Sequence, residues 1–89
     1  MIVGVPKEIK SDEKRVSLLP HLIKPIVNLG HKVIIQKEAG LESGFKDSFY
    51  TDEGAIIADT IDKVYDSADL VVKVKEPLDS ELGMIKDSQ

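Results

Sequence analysis

His31-Lys32-Val33-Ile34-Ile35-Gln36 follows Gly30 directly, and the reading of this stretch decides the fold. Three β-branched residues in a row between polar ends mark a strand that other elements cover on both faces. Upstream, Pro20 suits the first turn of a helix and Gly30 suits its terminator. Between them Leu22, Ile23, Ile26, Val27 and Leu29 fall at helical spacing and predict one apolar face. Pro25 lacks an N–H and its ring crowds the preceding turn, so this helix is expected to kink or to start late. Further upstream, Ile2-Val3-Gly4-Val5 is an apolar run stopped by Pro6 and predicts a first buried strand. The charged stretch Lys7 to Lys14 has no apolar period and reads as a surface loop.

Downstream, Gly40 and Gly44 bracket a turn, and Asp47 or Ser48 is expected to cap a short helix ending at Gly54. Ala55 to Ala58 is a third apolar run. Asp59 is expected to cap a helix from Thr60 to about Asp66, with Ile61, Val64 and Tyr65 inward. Leu70-Val71-Val72-Lys73-Val74 predicts a fourth strand ended by Pro77, and Ser80 is placed to open another helix. Strands alternating with helices imply βαβ crossovers and a parallel sheet. The predicted class is therefore α/β, Rossmann-like, but without G-x-G-x-x-G, the dinucleotide fingerprint. A chain of 89 residues is one small domain, and its end without a closing strand predicts an interrupted one.

The charge balance narrows the function. Acidic residues number 16 against 12 Lys and Arg, giving a net charge of −4 and no basic face for nucleic acid. No apolar stretch approaches the ~20 residues of a membrane span. Pro6-Lys7-Glu8 arrives at once after Met1 to Val5, so no secretory leader is expected, and a cytoplasmic protein is. The absence of cysteine removes disulfides, thiolate nucleophiles and cysteine-based metal sites.

Catalytic patterns are scarce. His21 and His31 have no His, Asp or Glu partner at a metal spacing and read as surface or capping residues, so no metal is expected. Gly40-Leu41-Glu42-Ser43-Gly44-Phe45-Lys46 has the wrong spacing for a phosphate loop and reads as a turn. Two basic residues stand out because ligands of open parallel sheets gather at the carboxyl ends of the strands. Lys75 lies just past the core of the fourth strand, and Arg15 closes the loop that leaves the first. A guanidinium grips a carboxylate with two hydrogen bonds, and an ammonium can hold a neighbouring oxygen. Together they suit a small 2-oxo acid. Lys73, on the same strand face as Lys75, is a competing cation, and most of the remaining Lys and Arg are solvated surface charges.

Whole segments sharpen this reading. Gly4-Val5-Pro6-Lys7-Glu8, then Glu13-Lys14-Arg15-Val16-Ser17 and Pro20, resembles the opening of the alanine dehydrogenase and transhydrogenase family. Gly30-His31-Lys32-Val33, Ala39-Gly40-Leu41 and Ser43-Gly44-Phe45 are similar to its next block. Tyr50, Gly54-Ala55, Ala68-Asp69-Leu70 and Val72-Lys73-Val74-Lys75-Glu76-Pro77 complete the series in order, over nearly the whole chain.

The resemblance implies an N-terminal substrate-binding domain spanning residues 1–89. In such a domain Arg15 and Lys75 hold the carboxylate and carbonyl region of pyruvate. The implied reaction is oxidative deamination of L-alanine to pyruvate and ammonia, with hydride passed to NAD. The catalytic residues and the NAD-binding domain of that family lie downstream, so no catalytic or cofactor-binding residue is assigned here. These 89 residues alone are expected to be inactive and to bind no NAD tightly, and the family implies a homo-oligomer. The pair Lys73 and Lys75 favours alanine dehydrogenase over a transhydrogenase α subunit. Leu19, His21, Leu22 and Pro25 depart from the family pattern, and Pro20-His21 is similar to lysine-ketoglutarate reductases. Leu19 in place of the usual Ser or Thr removes a helix cap, a loss of about 1 kcal/mol. A reading of a different kind is a stand-alone remnant without catalysis.

Overall fold

The computed structural model describes residues 1–8 and 16–73. Four strands, β1 (Ile2–Val5), β2 (Lys32–Gln36), β3 (Ile56–Ala58) and β4 (Leu70–Val71), form one sheet in the order β3-β2-β1-β4. Every neighbouring pair is parallel, and the expected α/β class is the observed one. The register sets Val3 beside Val33 and Val5 beside Ile35, and these four side chains point to one face. With Ile23, Ala39, Tyr50 and Ala55 they make the main core.

The opposite face is set by Gly4. A Cβ there would stand 2.6 Å from the Cβ of Ala68 and 2.9 Å from Cγ1 of Val64, distances that atoms do not tolerate. Glycine thus lets α3 (Ile61–Ser67) lie directly on the central strand, burying Val64 and Tyr65 as expected. Ile61 is only half-buried.

Pro25 has the expected consequence. Pro20–Leu22 is a 3₁₀ turn, and α1 (Ile23–Asn28) begins after it, so the helix starts late. Pro25 then occupies the first α-helical turn, where a backbone N–H has no intrahelical acceptor to lose. The five-residue apolar face is narrower than expected. Ile23 is buried and Ile26 and Val27 pack against the core, but Leu22 and Leu29 point to solvent. One short α-helix cannot turn both ends of that series to the sheet.

Both expected acidic caps are corrected. Asp47 does not cap α2 (Asp47–Thr51), whose N-cap is Lys46, nor does Ser48, already inside the helix. The Asp47 carboxylate instead accepts from the Glu38 N–H at 2.8 Å, and Glu38 has φ 62°, a conformation worth fixing. The α3 cap is Thr60 rather than Asp59: its hydroxyl oxygen accepts from the Lys63 N–H at 3.3 Å. Asp59 sits one residue too early and pairs with the Lys63 ammonium at 3.8 Å in solvent. Leu19 precedes its turn with no side-chain cap, as its hydrocarbon requires. The fourth strand ends at Val71, short of the expected Val74, which with the expected helix from Ser80 lies outside the described residues.

Candidate functional site

The strand order locates the site. From β1 the chain steps to β2 and β3 on one side, then returns to place β4 on the other side of β1. The strand order therefore reverses at β1 and β4, and the carboxyl ends of strands at such a switch point are where open parallel sheets bind ligands. A cleft of about 500 Å³ is found there, lined by Val16, Ser17, Leu19, Leu22, Ser43, Val72 and Lys73.

The floor of this edge is polar and tightly tied. The Lys73 ammonium stands 3.3 Å from the Glu8 carboxylate, and the two side chains are only 8% and 3% exposed. An ion pair so far from water must be well matched, because each charge has lost its hydration. Beside it the Ser17 hydroxyl donates to the Val72 carbonyl at 2.7 Å. The Tyr50 hydroxyl donates to the Leu18 carbonyl at 2.8 Å, binding the same segment to α2. The Lys7 N–H donates to Oε1 of Gln36, the last residue of β2, at 2.7 Å. Burial, and secondarily the Asp47 carboxylate, pushes the Tyr50 phenol up to about 12, so it stays a neutral donor across the ordinary pH range. Gly40 leaves room for that ring: a Cβ there would meet the Tyr50 hydroxyl at 2.8 Å.

The expected surface loop from Lys7 is corrected at its start. Glu8 is buried, and its carboxylate is paired with the Lys73 ammonium. Lys73 is accordingly a cation paired with a carboxylate, rather than a simple rival of Lys75. Arg15 and Lys75 themselves lie outside the described residues. Glu8, Ser17 and Tyr50 were missed as site residues in the sequence. The signal for Glu8 was a charged residue close behind an apolar strand and proline; Ser17 and Tyr50 stood out only as positions in the family motifs.

His21 lies in a separate shallow cleft with Pro20, Phe45, Phe49, Asp52 and Glu53, where the two phenyl rings meet edge to face at 6.4 Å. Among the described residues no three His, Asp or Glu side chains gather as a metal site, and no helix is long and apolar enough to cross a membrane.

The fold defines a small parallel α/β domain with a cleft at its switch point. Residues 4–89 match the model of the family described as alanine dehydrogenase/PNT, N-terminal domain, and the chain belongs to that family. It is 47% identical over 89 residues to the alanine dehydrogenase of Methanococcus maripaludis, covering 100% of this chain and 24% of that protein. It is 48% identical over 87 residues to the alanine dehydrogenase of Staphylococcus saprophyticus, covering 98% of this chain and 23% of that protein. A solved L-alanine dehydrogenase superposes with a TM-score of 0.93 at 42% identity, over 97% of this chain and 24% of the other. A transhydrogenase from Sinorhizobium meliloti superposes with a TM-score of 0.90 at 28% identity, over 99% of this chain and 26% of the other. The chain thus spans about a quarter of the length of the relatives it matches.

Proposed function

We propose that this chain is the substrate-binding part of an NAD-dependent alanine dehydrogenase. In this reading Arg15 grips the carboxylate of pyruvate or L-alanine and Lys75 holds the neighbouring carbonyl oxygen. The observation that carries it is the switch-point cleft, whose walls are the segments leading into both residues. Ser17 is hydrogen-bonded to Val72; Arg15 precedes Ser17 by two residues and Lys75 follows Lys73 by two. The place of these two residues in the chain, beside segments that line the cleft, supports the reading. The apolar walls Val16, Leu19, Leu22 and Val72 suit the methyl group of a small substrate.

NAD, the catalytic acid–base residues and the subunit contacts of a homo-oligomer belong, in this reading, to sequence that follows the matched quarter. The 89 residues alone are inactive and bind no NAD tightly, because no phosphate-cradling glycine loop is present. The transformation is that of a soluble cytoplasmic enzyme acting on a small acid.

The test is a chimera in which this chain replaces the matching quarter of the Methanococcus maripaludis alanine dehydrogenase. It is expected to reduce pyruvate with ammonia and NADH. Arg15→Ala should raise the pyruvate KM at least tenfold, since a hydrogen bond between charged partners is worth about 1.5–3 kcal/mol. A chimera that binds NADH and assembles like its parent but ignores pyruvate would overturn the proposal. An unchanged KM in Arg15→Ala would remove that residue from the site.

A further inference from the structure

Helix α2 has two different sides. Tyr50 enters the core and the Asp47 carboxylate accepts the Glu38 N–H, so one side is committed to the fold. Phe49, Asp52 and Glu53 follow one another at helical spacing, with Phe45 one turn earlier. All four line the same shallow cleft of about 320 Å³, which Pro20 and His21 close from the other side. Phe45 is lodged partly against the core. Phe49 meets it edge to face at 6.4 Å and remains 45% exposed. Among the described residues the Asp52 and Glu53 carboxylates form no ion pair, and the last turn of α2 holds no basic residue to offset them. Negative charge at the carbonyl end of a helix has the unfavourable sign.

Each feature alone is ordinary. Single exposed apolar residues are common, and acidic residues at a helix end are usually solvated. Their meeting in one cleft is more specific. An exposed ring propped on a fixed one offers a flat apolar face, and the carboxylates beside it offer acceptors. A guanidinium uses both, because it stacks on aromatic faces and donates two hydrogen bonds to a carboxylate.

We infer that this cleft is a docking site for a basic segment of another polypeptide, whose arginine lies on the Phe49 ring and pairs with Asp52 and Glu53. The site is distinct from the switch-point cleft and does not depend on the substrate reading. Charge selects the partner: copies of a chain with net charge −4 repel one another, whereas a basic segment is drawn to the two carboxylates. Shape selects a segment over a free cation. A shallow cleft covers little of a small molecule, and the flanking residues of a segment supply the missing contact.

The experiment titrates the full 89-residue chain, ¹⁵N-labelled, with the blocked peptide acetyl-Leu-Arg-Leu-amide and follows amide shifts. Shifts are expected at Phe45, Phe49, Asp52 and Glu53, and added sodium chloride is expected to weaken binding. The double variant Asp52→Asn with Glu53→Gln should need about fivefold more peptide for the same shifts. Phe49→Ala should need about threefold more. None of the three side chains belongs to the buried core, and unchanged Val33 and Ile35 amides verify that the variants fold. If Phe49→Ala does not fold, the double variant carries the test. The acidic peptide acetyl-Leu-Glu-Leu-amide is expected to leave the cleft unshifted. Equal binding of that peptide, equal binding by the double variant, or no arginine-peptide shifts in the cleft overturns the site. An equal response to arginine amide alone would make it a small-cation site. Shifts at the same residues that grow with protein concentration would give the cleft to a second copy. Either of those outcomes also overturns the basic segment.

Discussion

The two edges of the sheet are built differently. At the amino edge, the backbone N–H of Ile2 donates to the Asp69 carboxylate at 2.8 Å, and the Asp69 N–H donates back to the Ile2 carbonyl at 2.7 Å. The Lys32 N–H donates to the Met1 carbonyl at 3.0 Å. These bonds tie the starts of neighbouring strands together, and Asp69 stays exposed to solvent. At the carboxyl edge, where the long connections leave β1 and β2, charge has been drawn inside: Glu8 with Lys73, and the neutral Tyr50 phenol with Leu18. At the amino edge backbone bonds and one exposed carboxylate suffice, whereas at the carboxyl edge buried side chains hold segments that lie far apart in sequence. Those same side chains shape a cleft.

The sharpest test of this contrast removes one charge from each edge. Lys73→Ala takes the ammonium from the buried Glu8 carboxylate and is expected to cost about 3–5 kcal/mol, which leaves a domain this small largely unfolded. Asp69→Ala removes one exposed hydrogen bond and should cost about 0.5–1.5 kcal/mol. Urea unfolding of the two variants gives both figures, and equal losses would erase the distinction between the edges.

Alkali probes the carboxyl edge alone. The Tyr50 phenol is raised from 10.0 to about 12 in the folded chain. The folded state therefore holds this proton more tightly than the unfolded one. Its contribution is fully present below pH 10 and is lost as the pH climbs from about 10 to 12, by about 2–3 kcal/mol in all. Tyr50→Phe should flatten that part of the stability profile. A profile through this window that is identical in the two chains would contradict the buried, raised phenol.

The smallest effect concerns helix starts. Thr60→Ala removes the hydroxyl oxygen that accepts the Lys63 N–H and should cost about 1 kcal/mol. Leu19→Ser offers an oxygen where the turn at Pro20 has none and should return a fraction of that amount. A thermal melt that moves down for the first variant and slightly up for the second would agree. A stabilising Thr60→Ala would not.

Much of the fold was legible because it rests on local patterns. Val3, Val5, Val33 and Ile35 alternate as strands do, and Pro20, Pro25 and Gly30 punctuate the first helix. The misreadings came where two residues compete for one role. Asp59 and Thr60 are both good caps, and only the actual turn of chain put Thr60 within reach of the Lys63 N–H. Asp47 serves the Glu38 N–H instead of its own helix, a choice made by the turn at Gln36–Gly40. Leu22 and Leu29 belong to an apolar series on paper, but so short a helix presents only its middle to the sheet.

The sequence by itself determined the parallel α/β class, the family and the cations expected to meet substrate, because periodicity and motif order are properties of neighbouring residues. It could not determine where those neighbours meet. Ser17 and Val72 are 55 positions apart, and whether they touch depends on β4 pairing with β1 rather than with β3. The same pairing buries Glu8 against Lys73, one of the residues that line the cleft. Strand order is a global choice, made by the glycine at position 4 that admits α3 onto the central strand and by the packing of both faces at once. That is why the site's supports came only with the tertiary structure.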